Sequence, residues 1–92
     1  MNQKIIIESL SMDLLRVALG LHRGSVDMAN KFREESLKRV KELEESKPHG
    51  YLKKLTENTK KVLLTTEDRT KEDALMYSIL LKNYTIHRTL TK

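Results

Sequence analysis

Ile5-Ile6-Ile7-Glu8-Ser9-Leu10-Ser11-Met12-Asp13-Leu14-Leu15-Arg16-Val17-Ala18-Leu19-Gly20-Leu21 is the stretch that decides how this chain folds. Ile7, Leu10, Leu14, Val17 and Leu21 recur in it at alternating steps of three and four. That spacing keeps side chains on one side of a helix of 3.6 residues per turn. Ile6, Leu15 and Ala18 widen the stripe. The β-branched triplet Ile5-Ile6-Ile7 could open a strand. No turn follows it, however, and the helical period takes over at once. The stretch predicts a long amphipathic helix and, with it, an all-α fold.

Downstream, Gly20 and Gly24 bracket Leu21-His22-Arg23, and Ser25 is a good N-cap with Asp27 in the turn after it. A break or kink is expected there, which decides between three helices and four. Beyond it Ala29, Phe32, Ser36, Val40 and Leu43 form a thinner stripe. Glu34 with Lys38 and Glu35 with Arg39 are spaced as (i, i+4) ion pairs on an otherwise exposed helix. Ser46-Lys47-Pro48-His49-Gly50 reads as a loop, with Pro48 biasing Lys47 away from the α region and Gly50 free to take the φ the turn needs. A third helix carries Leu52, Leu55, Thr59, Val62 and Leu63 on one face and ends near Leu64. Two N-cap signatures follow, Thr65-Thr66-Glu67-Asp68 and Thr70-Lys71-Glu72-Asp73, and the second starts the last helix. Ile79, Leu80, Leu81, Tyr84, Ile86 and Leu90 make its apolar face broad, as a central helix would have. Short connections imply an up-down antiparallel bundle of three to four helices, one domain over residues 1–92.

Composition supports that fold and narrows the chemistry. The chain has 92 residues, 38% hydrophobic and 34% charged, with three glycines and one proline, too few turn formers for a sheet of many short strands. It has no cysteine, which excludes disulfides, Cys-ligated zinc and thiol nucleophiles. No apolar run approaches the length of a membrane span, and residues 1–8 lack the apolar stretch of a secretion signal. A cytoplasmic protein that needs no membrane is the expectation.

The three histidines, His22, His49 and His87, are not spaced to share a metal from one helix face. His22 reads as a cap or surface residue, His49 as a solvated loop residue, and His87 as a cation complementing a helix C-terminus. Glu8 and Asp13, five residues apart, point to different sides of a helix, and Asp27 and Asp73 suit first-turn dipole partners. No catalytic triad, Gly-rich phosphate loop, metal set or cofactor motif is evident.

The net charge of +5 is placed unevenly. Residues 1–46 carry eight basic and eight acidic side chains, whereas residues 47–92 carry ten against five. Lys53 with Lys60, and Lys54 with Lys61, each repeat at seven residues along the third helix, and lysines so spaced can follow a phosphate backbone. The aromatics are only Phe32, Tyr51, Tyr77 and Tyr84, which offer no stacking platform for single strands.

Arg16-Val17-Ala18-Leu19-Gly20-Leu21-His22 resembles the Arg-x(4–6)-His motif of HEPN-type ribonucleases, small helical bundles active as dimers. The resemblance covers these seven residues. It implies that Arg16 and His22 would line a cleft at a dimer interface and promote attack by the RNA 2′-hydroxyl. Val17 stands where that family commonly has a polar residue, and the family's motif usually lies late in the chain.

Three functions are therefore in view. The first is a non-enzymatic module that works through association, as a homo-oligomer or with a protein partner. The alternative is a nucleic-acid-binding protein using Lys53, Lys54, Lys60 and Lys61. The third is a HEPN-like ribonuclease.

Overall fold

The computed structural model describes the backbone of residues 2–65 and 70–90, and their side chains up to residue 86. Four helices follow one another: α1 (Gln3–Arg23), α2 (Val26–Glu45), α3 (Gly50–Leu64) and α4 (Thr70–Leu90). The turn between α1 and α2 and the start of α1 have a clear chemical cause. The Asn2 side chain caps α1 by accepting from the Ile5 N–H at 2.9 Å. Gly24 ends that helix in the left-handed region at φ 73°. Its N–H donates to the Leu21 carbonyl, and the Ser25 N–H to the Gly20 carbonyl at 2.8 Å, the paired bonds of a Schellman motif. Ser25 then caps α2 by accepting from the Met28 N–H. The chain does break, at Gly24 and not between the two glycines, and four helices stand among the described residues.

Gly20 itself lies inside α1, where α2 crosses closely. A Cβ there would sit 2.8 Å from the Ala29 backbone nitrogen. The loop after α2 departs from expectation at one residue. Lys47 takes a φ of 55°, the left-handed region, because it closes α2, its N–H donating to the Glu44 carbonyl at 3.1 Å. Gly50, at φ 58°, supplies the positive φ that opens α3. The first of the two cap signatures before α4 falls mainly on residues 66–69, outside the described residues. So do the side chains of His87 and Leu90. Thr70, from the second signature, is the first described residue of α4.

The helices pack around a square, α1 beside α2 and α4, α3 beside the same two, with no close backbone approach across either diagonal among the described residues. Side-chain bonds fix their directions. Gln3 Nε2 donates to Ser46 Oγ at 3.1 Å, so the start of α1 meets the end of α2. Ser11 and Ser78 each donate a hydroxyl to the other's carbonyl at 2.7 Å, pinning the middle of α1 to the middle of α4. Tyr51 near the start of α3 lies 6.3 Å, centroid to centroid, from Tyr84 late in α4. The result is an up-down antiparallel bundle of 41 × 24 × 20 Å.

The largest share of the core comes from α1, through Ile6, Ile7, Leu10, Leu14, Val17 and Ala18. Ala29, Val40 and Leu43 of α2, Leu52, Leu55 and Leu63 of α3, and Ala74 and Leu81 of α4 join them. Two assignments are overturned. Leu15 does not widen the buried stripe but is exposed. The central helix is α1, not α4: α4 sends Ala74 and Leu81 fully inward while Ile79 and Ile86 remain outside. The expected ion pairs on α2 also re-form with other partners, Lys38 with Glu35 at 3.6 Å and Arg39 with Glu42 at 2.7 Å, both at a spacing of three.

Candidate association face on α1 and α4

A helix at the corner of a four-helix square buries roughly one stripe, yet α1 carries apolar side chains on two. Outside the core seam run Ile5, Met12, Leu15 and Leu19, again at helical steps. On α4 the outward row is Leu75, Ile79 and Ile86, with Met76 beside it. These eight side chains are between 37% (Leu19) and 54% (Met12) exposed. The two rows adjoin, because Leu15, Leu19 and Leu75 line one shallow apolar groove of about 190 Å³ between the helices. The Ser11–Ser78 register carries the juxtaposition along the antiparallel helices, bringing Met12 within about 3 Å along the axis of the level of Ile79, and Ile5 likewise of Ile86.

Charges stand within this face as well as at its ends: Glu8 lies between Ile5 and Met12 on α1, and Lys82 between Ile79 and Ile86 on α4, at the same helical steps. Lys4 flanks the face at the α1 start, and His22, Arg23 and Glu72 flank the other end. None of these makes an ion pair among the described residues. The sequence assigned Ile79 and Ile86 to the core and left Met12 aside. The signal that could have found the face was the second stripe itself, since one stripe per helix already fills a bundle of this size.

The four lysines of α3 are all exposed on its outward side, with Glu57 among them. Lys60 reaches Glu44 of α2 at 3.3 Å, while Lys53, Lys54 and Lys61 make no ion pair among the described residues. Lys53 also borders an open groove of about 560 Å³ at the loop after α2, where Lys47 and His49 stand with Glu44 and Glu57. Its charges balance, so it does not concentrate either sign.

Arg16 and His22 are not brought together. Arg16 turns toward α2, its guanidinium 5.2 Å from the Phe32 ring centroid and 3.4 Å from Asp13. His22 instead borders the groove between α1 and α4 with Lys71 and Glu72. Glu8 is exposed and Asp13 buried, on different sides of α1 as the spacing requires. Burial raises the pKa of Asp13, Arg16 and Arg39 draw it back down, and Glu35 adds to the rise. Among the described residues no group of three or more His, Asp or Glu side chains is arranged to hold a metal, and no helix is long and apolar enough to cross a membrane.

Compared with protein-family models, with curated proteins and with solved structures, the chain matches none.

Proposed function

We propose that this chain is a non-enzymatic helical module that works by self-association through the α1–α4 face. The observation that carries this reading is the exposed apolar surface of Ile5, Met12, Leu15, Leu19, Leu75, Ile79 and Ile86, interrupted by one charge on each helix, Glu8 and Lys82. Their exposed fractions amount to roughly 600 Å², at the upper edge of what a monomer leaves uncovered. With its charged ends included, the face approaches the ~800 Å² that each partner contributes to a stable interface. A second copy is the occupant that brings a surface of the same size and apolar character to every encounter. Sedimentation equilibrium from micromolar to millimolar protein tests it. The wild type is expected to dimerise, and Ile79→Glu to remain a monomer with unchanged helical circular dichroism. A wild-type chain that stays monomeric throughout overturns the reading.

A second reading is nucleic-acid binding by α3, favoured by the exposure of Lys53, Lys54, Lys60 and Lys61 on one outward side. Replacing all four with Glu is then expected to abolish anisotropy changes of labelled RNA or duplex DNA. Milder changes at single lysines would lower the salt slope by about one for each phosphate no longer neutralised. Absence of wild-type binding even at low salt removes this reading and leaves the first untouched.

A further inference from the structure

We infer that the second copy docks about a two-fold axis parallel to the helices, so that α1 of one protomer lies against α4 of its partner. The inference rests on the self-association proposed above and fixes its register. Two apolar faces meeting in a closed symmetric pair can be related by an axis in their common plane, running either along the helices or across them. The charges within the face and at its ends distinguish the two.

An axis along the helices preserves level. Met12 then lies within about 3 Å along the axis of the partner's Ile79, as Ile5 does of the partner's Ile86, and Leu15 faces the partner's Leu75. Between these apolar pairs Glu8 comes opposite the partner's Lys82. Both charges are exposed and without an ion pair in their own chain among the described residues. An axis across the helices lays α1 antiparallel on its own copy. Lys4 would then oppose the partner's Arg23 at both ends, and Glu8 would press on the partner's Leu19. Like charges opposed and a carboxylate set on an apolar side chain are each unfavourable, so the first register wins.

The chain has no cysteine, so single thiols can be placed without background. Met12→Cys and Ile79→Cys proteins would be oxidised mildly, each alone and as an equal mixture. The mixture is expected to yield the disulfide between positions 12 and 79 in at least fivefold excess over either symmetric product. A dominant symmetric product at position 12 overturns the register in favour of the crossing axis. Glu8→Lys is expected to weaken the dimer at least threefold, and adding Lys82→Glu to the same chain to recover it. Failure of the double variant to recover also overturns the register. Sedimentation of the reduced samples separates the two levels of failure. Dimers with the wrong cross-links leave self-association standing, whereas monomers throughout remove both.

Discussion

Asp13 sits in α1 with its residue surface 9% exposed, between Arg16 on its own helix and Arg39 on α2. Loss of water outweighs both guanidinium groups, so its pKa stands above the ordinary 3.8. A carboxyl with a raised folded-state pKa binds its proton more readily in the folded chain. The stability this supplies is complete below the unfolded value and is lost as pH rises through the folded one. At neutral pH the ionised carboxylate therefore costs stability, and an amide of the same shape avoids that cost. Asp13→Asn is expected to melt above the wild type at neutral pH, with the gap closing as the solution is acidified below the ordinary carboxylate range. Thermal melts over a pH series measure it, and a gap constant with pH would show that Asp13 is no source of pH dependence.

At the scale of elements, two glycines four residues apart do different work. Gly24 holds a left-handed φ with nothing within 4 Å of the position a Cβ would take, so its substitution is a backbone matter alone. Gly24→Ala is expected to cost about 1–2 kcal/mol, and Gly24→Asn less, since Asn tolerates that region. Gly20→Ala would gain about 1 kcal/mol of helix propensity. It must, however, push α2 away from a backbone approach of 2.8 Å, and overpacking of that kind costs about 1–3 kcal/mol. Chemical denaturation is expected to show both alanines destabilising and only the position 24 loss softened by Asn. A stabilised Gly20→Ala would mean that α2 yields without resistance. These glycines also mark how far the sequence could be read. The turn was legible because Gly, then Ser, is local helix-stop and helix-start chemistry. The role of Gly20 was not, because it depends on which backbone crosses there. The same limit explains α4, whose apolar residues are visible as types, although periodicity alone cannot say which side of a broad face meets a neighbour. The four α3 lysines were legible as an outward row, since the Leu52–Leu55–Leu63 stripe fixes the opposite side as buried.

For the whole molecule, the division between core and outer face separates folding from assembly. Leu14 is fully buried, and truncating it to Ala removes packing that a single 92-residue core cannot replace, a loss of about 2–5 kcal/mol. Ile79 is half exposed on the far side of α4 from that core. A charge there disturbs the isolated bundle by about 0.5 kcal/mol or less, as surface substitutions do. If the α1–α4 face is covered by a second copy, folding and association are linked by mass action, and the melting temperature must rise with protein concentration. Calorimetry of the wild type across a hundredfold concentration range is expected to show that rise. Ile79→Glu is expected to melt at one temperature throughout, close to the dilute wild-type value, while Leu14→Ala melts lower at every concentration yet keeps the concentration dependence. A wild-type curve as flat as that of Ile79→Glu would separate the apolar face from assembly altogether. A concentration dependence that survives in Ile79→Glu would place the interface elsewhere on the bundle, with the outer side of α3 the next surface to alter.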